Sequence, residues 1–313
     1  MTRPAWMIAL ALASPAGAFE LAFPVDCALG DTCFIQQYLD HDPGLAATDF
    51  TCGPLSYDGH TGTDIALESR AQMLTGVAVL AGAPGTVVAR RDGVADFAPF
   101  KAGQNCGNGV VIDHGGGWET QYCHLREGSV LPQTGDAVVA GTPLGMVGQS
   151  GQADFPHLHL SVRLNSADVD PFAPDATNEC AKPDGQGLWK TDIAYAAGGI
   201  IGVGVSASIP EYDAIKAGLP SPELPSNAPA LVVWAYIFGG RAGDVLVLQI
   251  TGPFSDIITE RVVLEKTQAQ LFRAVGKKLK TAAWPAGSYT GAVQMLRAGT
   301  LISAQTIEVA VKN

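Results

Sequence analysis

The stretch at residues 157–163, HLHLSVR, alternates strictly between polar and apolar side chains. Successive side chains in a β-strand point to opposite faces, so this pattern predicts a half-buried strand with both leucines and the valine in the core. His157, His159 and Ser161 would then share the other face, where two imidazoles lie close enough to serve one metal ion or one water. A lone His-x-His pair is more often two satisfied histidines, so the rest of the chain must decide between these interpretations.

The composition is that of a folded globular protein. Hydrophobic residues make up 47% and charged residues 16% of the 313 residues, which is enough for sizeable cores. At about 150 residues per domain, this length predicts two domains. The net charge of −11 argues against binding to nucleic acid, or to an anionic surface through bulk charge.

The N-terminal residues have the features of a secretory signal peptide. A positively charged start precedes an apolar run at residues 5–13, and Ala16-Gly17-Ala18 matches an A-x-A cleavage site, so we expect cleavage near Ala18. The uncharged stretch at 193–210 is rich in glycine and serine, which favours buried strands over a membrane span. We therefore expect an exported protein, periplasmic or secreted, without a membrane span after cleavage of residues 1–18.

The even number of cysteines fits disulfide bonds in an oxidising compartment. The six are Cys27, Cys33, Cys52, Cys106, Cys123 and Cys180. Because no Cys-x-x-Cys pair is present, we expect them to be structural, with their pairing left open.

A β-hairpin is predicted around residues 107–125, where two strand-like runs surround three glycines. With Gly115-Gly116 as the loop, Cys106 and Cys123 would share a face, and a disulfide between them is geometrically reasonable. In that register, His124 would point away from the disulfide.

The pattern of short strands and turns predicts an all-β protein. Residues 53–180 contain no convincing amphipathic helix up to about residue 172, which indicates a compact antiparallel β-sheet domain. A Cys-rich lead-in at 19–52 precedes this domain, and a polar linker rich in Pro and Gly at 181–195 follows it. Residues 196–313 are predicted to form an Ig-like β-sandwich accessory domain. Its strand candidates lie at Leu231–Ile237, Val245–Ile250, Glu260–Leu264, Ser288–Leu296 and Leu301–Val311.

The first β domain holds side chains that suit a catalytic zinc ion. His60 and Asp64 are four residues apart and would share a face in an extended segment, and His124, His157 and His159 add three imidazoles. Catalytic zinc takes three protein ligands and keeps one position open, and it binds imidazole and carboxylate well. Zinc lowers the pKa of its water towards about 7 and polarises a carbonyl, so hydrolysis would run at neutral pH.

Four short motifs occur in order over this domain. They are His60-x-Gly62-x-Asp64, GNGVVIDHG at 107–115, Tyr122-Cys123-His124-Leu125 and Pro156-His157-Leu158-His159. With them, residues 53–172 resemble the lysostaphin/LytM-type zinc endopeptidases of the M23 family. The resemblance implies a LytM-like β-sheet fold (the duplicated hybrid motif) with a groove, and it does not cover 19–52 or the chain after about 175.

The same resemblance implies the roles of the site residues. His60, Asp64 and His159 would bind Zn²⁺. His124 and His157 would stand beside the metal-bound water, deprotonating it and stabilising the oxyanion. His114 also matches a family position, but it ends a strand at a turn, so we expect it to be structural.

Two departures from the family pattern lie near the histidines. Ala153-Asp154-Phe155 stands where the family usually has a Ser/Thr-Gly stretch, and Leu160-Ser161 stands where it usually has Phe-Glu. Neither departure is expected to touch a metal ligand. We expect them to change the shape of the substrate groove and to leave zinc binding intact.

Members of this family cleave peptides of bacterial peptidoglycan. By analogy, the resemblance implies an exported zinc endopeptidase that hydrolyses peptide cross-links, foremost the D-Ala–diaminopimelate bond. Peptidoglycan peptide stems are the expected partner. The C-terminal domain has no histidine or cysteine after residue 180, so it is a candidate to bind a further protein partner.

Two other functions stay open. The chain could be an autoinhibited or non-enzymatic M23-type regulator of a cell-wall amidase, although such members typically lose zinc ligands and all five positions are present here. It could be a binding module, since the glycine-rich stretch at 135–148 is similar to turns of lipoyl- or sugar-carrier domains, although those would not need His60 with Asp64. If the enzyme is latent, the lead-in would cover the groove and His41 would occupy the open zinc position.

Overall fold

The computed structural model describes residues 19–175, 180–181, 187–219 and 223–313. The predicted signal peptide at 1–18 lies outside these residues. Strands make up 46% of the structure and helices 4%, which confirms the all-β prediction.

The first unit is built on one antiparallel sheet. Its elements are β1 (Cys33–Gln37), β2 (Thr63–Leu67), α1 (Arg70–Thr75), β3 (Ala78–Leu80), β4 (Gly85–Arg91), β5 (Asn108–Gly115), β6 (Trp118–Leu125), β7 (Ala137–Val138), β8 (Pro143–Met146), β9 (His157–Leu164) and β10 (Ala167–Asp168). The sheet order is β1-β2-β9-β6-β5-β4-β7, with β10 paired to β9, and β3 pairs with β8 in a separate ribbon. Strand β9 therefore lies between β2 and β6.

Strand β9 confirms the alternation predicted from the sequence. Leu158, Leu160 and Val162 are at most 1% exposed and belong to the core, whereas the polar residues of the strand face a groove. His159 pairs with Asp64 on one side and with Cys123 on the other. The central strand thus carries the histidines between two partner strands.

Helix α1 differs from the expectation of no helix in this domain. The Ser69 side chain caps it by accepting a hydrogen bond from the Gln72 N–H, and Met73 is its buried residue. A helix of six residues is too short to show an amphipathic repeat, so the sequence pattern could not reveal it.

The lead-in is built into the first unit. Leu21 and Val25 are buried in the same core as β9, and β1, with all five residues buried, pairs with β2 as the edge strand of the sheet. A fully buried strand has no polar face and therefore no alternating pattern. This is why the sequence did not show that the sheet begins before residue 53.

The second unit consists of two packed sheets. Its elements are β11 (Gly199–Ser206), α2 (Tyr212–Ala217), β12 (Leu224–Pro225), β13 (Ala230–Gly240), β14 (Val245–Thr251), β15 (Asp256–Val263), β16 (Gln268–Lys278), β17 (Gly287–Arg297) and β18 (Thr300–Lys312). The sheets β11-β13-β16 and β12-β18-β17-β14-β15 share one core. All five strand candidates overlap observed strands. Strand β16 was not predicted, because Leu271 is its one fully buried residue and its sequence is largely polar.

The two units are in direct contact. Phe34 of β1 lies in an apolar cluster with Trp234, Tyr236 and Phe238 of β13. The described part of the predicted linker is also packed, since Trp189 is buried in the first core. The second unit therefore covers the edge strand of the first.

Three disulfides are formed, joining Cys27 to Cys33, Cys52 to Cys180 and Cys106 to Cys123. The third is the pairing that the predicted hairpin suggested. Across the described ranges, no helix is both long and apolar enough to cross a membrane.

Candidate active site

The five side chains singled out in the sequence meet in one groove of about 620 Å³. His60 lies in the loop before β2, Asp64 on β2, His124 near the end of β6, and His157 and His159 on β9. The order β2-β9-β6 in the sheet places these three segments side by side.

His60, Asp64 and His159 form a compact ligand group. His60 Nε2 lies 3.1 Å from Asp64 Oδ1 and 3.1 Å from His159 Nδ1, and His159 Nδ1 lies 2.8 Å from Asp64 Oδ1. Three donor atoms this close together can share one ion, and two imidazoles with one carboxylate are a donor set that zinc accepts. These residues therefore fit the ion that the resemblance implies.

A hydrogen bond decides which ring nitrogen of His60 faces the ligand group. His60 Nδ1 lies 2.6 Å from the carbonyl oxygen of Tyr38. A carbonyl can only accept a hydrogen bond, so Nδ1 carries the hydrogen, and the neutral ring presents the lone pair of Nε2 to the group.

Asp64 is held in its ionised form. Burial by itself raises the pKa of this carboxyl, but the neighbouring imidazoles of His157, His60 and His159 hold that pKa well below its usual range. Asp64 therefore offers a carboxylate, the form in which it can bind a metal.

The ring of His159 is closely packed on its outer side. A Cβ added at Gly62 would lie 2.8 Å from His159 Nε2 and 2.5 Å from the Leu160 carbonyl oxygen, so a larger residue does not fit unless β9 moves. Ser161 Oγ lies 3.1 Å from the same Nε2. The expectation that Leu160-Ser161 touches no ligand is therefore wrong for Ser161, because residues two apart on β9 share a face.

His124 and His157 stand beside the ligand group with ring centroids 4.6 Å apart. His157 Nδ1 donates to the Phe155 carbonyl and His124 Nδ1 to the Ser150 carbonyl, each at 2.8 Å, so Nε2 carries the lone pair in both rings. Burial lowers the pKa of His124 to about 3 and also lowers the pKa of His157. Both rings are therefore neutral near pH 7, with an unprotonated Nε2.

His124 reaches the groove through a bend in β6. Its φ of 63° is rare for a residue other than glycine and interrupts the alternation of the strand. As a result, Gln121, Cys123 and His124 all line the groove, together with Cys106. The prediction that His124 points away from the Cys106–Cys123 disulfide is therefore wrong.

The hairpin turn also falls one residue later than predicted. Gly115 pairs with Trp118, which leaves Gly116-Gly117 as the loop. The shifted register contains irregularities near both ends of the hairpin. A regular alternation of side chains does not predict where such bulges occur.

His114 lies outside the groove. Its Nδ1 is 2.7 Å from the Pro84 carbonyl and its Nε2 is 2.7 Å from Thr120 Oγ1. These contacts tie β5 to its neighbours, which is what a structural histidine is expected to do.

His41 also lies elsewhere, and with it the lead-in. Its Nε2 is 2.8 Å from Asp170 Oδ2, and residues 19–52, all of which are described, contribute nothing to the lining of the groove. The expectation that the lead-in covers the groove with His41 is therefore not met in this structure.

Residues that the sequence did not single out complete the walls of the groove. The ring of Tyr57 lies 4.4 Å from that of His60, and the ring of Phe155 lies 4.5 Å from that of His157. The remaining polar lining includes Asn105, Gln121, Gln152, Asp154 and Arg163. The alternation along β9 could have revealed Arg163, whereas residues on loops carry no such local signal.

Comparison with known proteins finds similarity to the central part of the chain. Residues 58–171 match the model of peptidase family M23. The DD-carboxypeptidase/endopeptidase Mpg of Neisseria meningitidis is 40% identical over 87 residues, which is 28% of this chain and 19% of Mpg. The peptidoglycan DD-endopeptidase ShyA of Vibrio cholerae is 33% identical over 110 residues, which is 35% of this chain and 21% of ShyA. The chain thus spans about one fifth of the length of these relatives.

Similar solved structures were also found. The catalytic domain of the prophage-encoded M23 protein EnpA from Enterococcus faecalis is 25% identical, with a TM-score of 0.35, and the match covers 51% of this chain and 98% of that domain. The catalytic domain of lysostaphin from Staphylococcus simulans is 24% identical, with a TM-score of 0.29, and the match covers 43% and 85% of the two chains.

Proposed function

We propose that this protein is an exported zinc endopeptidase that hydrolyses the peptide cross-links of bacterial peptidoglycan, a proposal supported by the match of residues 58–171 to the model of peptidase family M23. His60, Asp64 and His159 are the proposed zinc ligands, and His124 and His157 are the proposed catalytic residues. The D-Ala–diaminopimelate bond is the proposed point of cleavage, which the description of ShyA as a peptidoglycan DD-endopeptidase supports.

One observation carries this proposal. In an open groove, the neutral imidazoles of His124 and His157 lie next to the ligand group. His157 Nε2 lies 3.6 Å from Asp64 Oδ1, and His124 stands against His157. Two buried, uncharged bases next to a metal-ligand group have a use in hydrolysis, where a proton must be taken from water beside the metal.

The chemistry follows from the positions of the ring nitrogens. Zinc held by the ligand group would lower the pKa of a coordinated water and polarise the scissile carbonyl. His157 and His124 accept a proton at Nε2, because main-chain carbonyls occupy Nδ1 in both rings. In its protonated form, either imidazole can donate a hydrogen bond to the oxyanion or pass the proton to the leaving amine.

Other features support the substrate and the compartment. An open groove with amide and guanidinium side chains on its walls suits an extended peptide rich in polar groups. Three disulfides are consistent with an oxidising compartment, and the sequence at 1–18 supplies the expected export signal. The intact set of five side chains argues against a non-enzymatic amidase regulator.

The test is digestion of diaminopimelate-containing peptidoglycan by residues 19–313, with and without a chelator, followed by mass spectrometry. We expect chelator-sensitive loss of cross-linked dimers and release of monomers with intact stems. His157→Ala should keep its zinc and lose about 10²–10⁴-fold in rate, the size of a missing general base. His114→Gln serves as the control and should keep both zinc and rate.

Two results would contradict the proposal. Intact dimers after digestion with a zinc-loaded wild-type protein would favour the regulator. Hydrolysis that survives complete removal of the metal would exclude the proposed role of the ligand group.

A further inference from the structure

Strand β1 and the second unit lie outside the matched segment 58–171. Tyr38 directly follows β1. Its hydroxyl contacts the start of the second unit and its carbonyl contacts His60 of the ligand group. We propose that Tyr38 is a positioning residue for His60, and that the second unit, by holding β1 in place, sets the metal affinity of the site. This inference rests on the proposed function and extends it to the accessory domain.

The main chain around Tyr38 holds both the ring and the backbone of His60. The Tyr38 carbonyl accepts hydrogen bonds from His60 Nδ1 at 2.6 Å and from Ser56 Oγ at 2.9 Å. Two residues on, the Asp40 N–H donates to the His60 carbonyl at 2.9 Å, and Asp40 Oδ2 accepts from the Gly59 N–H at 3.0 Å. Residues 38–40 therefore determine where Nε2 of this ligand points.

The side chain of Tyr38 is enclosed by parts of the chain that are distant in sequence. Tyr38 is fully buried, and its ring lies 5.1–5.4 Å from the rings of Phe50, Phe172 and Tyr195. Its hydroxyl accepts a hydrogen bond from the Ala196 N–H at 3.2 Å. The segment that enters the second unit therefore anchors the residue whose carbonyl orients His60.

Tyr195 is itself fixed to the lead-in. Its hydroxyl donates to Asp49 Oδ2 at 2.7 Å, and Asp49 is fully buried. The other Asp49 oxygen accepts hydrogen bonds from the N–H groups of Thr51 and Gly53. A buried carboxylate with this many donors forms a rigid support for the ring next to Tyr38.

The second unit also contacts β1 directly. The rings of Phe34 and Phe238 lie 5.8 Å apart, and Gln270 Nε2 donates to Gln36 Oε1 at 2.6 Å. Across the β1–β2 ladder, Gln37 pairs with Asp64. A displacement of β1 would therefore disturb two of the three proposed ligands, His60 through the Tyr38 carbonyl and Asp64 through the ladder.

A positioning role and a merely structural role predict different measurements. Loss of an outer hydrogen-bond partner of a metal-binding histidine typically weakens metal binding by about 10–100-fold. Loss of a buried aromatic residue that only stabilises the fold lowers the unfolding temperature and leaves the zinc dissociation constant of the folded protein unchanged. Zinc affinity is therefore the property to measure, and it does not depend on which bond the enzyme cuts.

The experiment measures the zinc dissociation constant of the chain from residue 19 to 313 by competition with a chelating dye. Four variants are compared at a temperature where circular dichroism shows each to be folded. Tyr38→Ala removes the anchored ring, and Tyr38→Phe keeps the ring and loses only the hydroxyl. Phe238→Ala removes the contact of the second unit with β1. Tyr289→Ala is the matched control, since Tyr289 is an equally buried aromatic residue in the core of the second unit, outside the cluster around Phe34.

Tyr38→Ala keeps the main-chain carbonyl but removes the ring that holds it in place, so we expect the zinc dissociation constant to rise by about tenfold, the low end of the range for a lost outer partner, and Phe238→Ala to raise it by about tenfold at most. Tyr38→Phe should stay within about threefold of wild type, the effect of one hydrogen bond, and Tyr289→Ala should match wild type. If Tyr38→Ala does not fold, Phe34→Leu and Tyr195→Phe provide the same comparison with smaller losses of packing.

Each contrary result has a separate meaning. Unchanged zinc affinity in Tyr38→Ala, or in both substitute variants, would overturn the positioning role. An equal loss of affinity in Tyr289→Ala and Phe238→Ala would overturn the role of the contact with β1. A wild-type protein that binds no zinc at all would overturn the proposed function itself.

Discussion

At the scale of single residues, the main-chain partner of each ring decides what a histidine can do. His60, His124 and His157 all bind a carbonyl oxygen through Nδ1 and leave Nε2 with its lone pair. His159 differs, because its Nδ1 faces the ligand group and its Nε2 meets Ser161. Because His60 shares the pattern of His124 and His157, the free ring nitrogen alone does not separate a proposed ligand from a proposed proton acceptor. The distance to Asp64 Oδ1 does, since it is 3.1 Å for His60, 2.8 Å for His159 and 3.6 Å for His157.

This difference predicts opposite effects for two neighbouring substitutions on β9. His159→Ala removes one of the three proposed ligands, so zinc affinity should fall by more than the roughly 10–100-fold typical of an outer-sphere change. His157→Ala leaves the ligand group whole and should retain zinc. Metal content after equilibrium dialysis measures both effects, and equal zinc in the two variants would contradict the division of roles.

At the scale of elements, the site depends on how closely the loop before β2 approaches β9. Gly62 lies against the ring of His159 and the carbonyl of Leu160. The glycine in the His60-x-Gly62-x-Asp64 motif thus has a steric reason, because any side chain there would push the two ligand-bearing segments apart.

Gly62→Ala is therefore expected to reduce both stability and zinc affinity. Overpacking of this kind costs about 1–3 kcal/mol in free energy of unfolding, and the displaced β9 would also separate His159 from Asp64. Gly202→Ala is the matched control, since a Cβ at Gly202 in β11 meets nothing within 4 Å and should change stability by less than about 0.5 kcal/mol. Urea denaturation and zinc titration of both variants provide the test, and equal behaviour would refute the steric explanation.

At the scale of the whole molecule, covalent links hold distant parts of the first unit together. The Cys52–Cys180 disulfide joins residues 128 apart in sequence, whereas Cys27–Cys33 joins residues 6 apart. The longer link connects the lead-in to the end of the first unit. It lies close to the aromatic cluster around Tyr38, because the Ala181 N–H donates to the Phe50 carbonyl.

Removal of the longer link should therefore cost more stability. By loop entropy, the Cys52–Cys180 bond contributes about 5 kcal/mol and the Cys27–Cys33 bond about 2 kcal/mol. Replacing each pair by serine and following unfolding of the first unit in urea should show the larger loss for Cys52 and Cys180. Equal losses would mean that chain entropy does not govern the effect of these bonds.

The sequence alone determined the features that are local. Alternation along β9, the turn residues and the order of the four motifs were sufficient to predict an all-β protein, and they singled out the five side chains that meet in the groove. Strand periodicity places residues two apart on one face whatever surrounds them. That is why His157, His159 and Ser161 were expected on one side before any contact was known.

Only the tertiary structure decided the features that join distant segments. The bend at His124, the burial of β1, the contact of Phe34 with Phe238 and the bond from His60 to the Tyr38 carbonyl all link residues on different elements. Such contacts depend on which strands become neighbours in the sheet, and a local pattern of side chains carries no information about that choice. The residues of the candidate metal site could therefore be named from the sequence, whereas the elements that hold them in place could not.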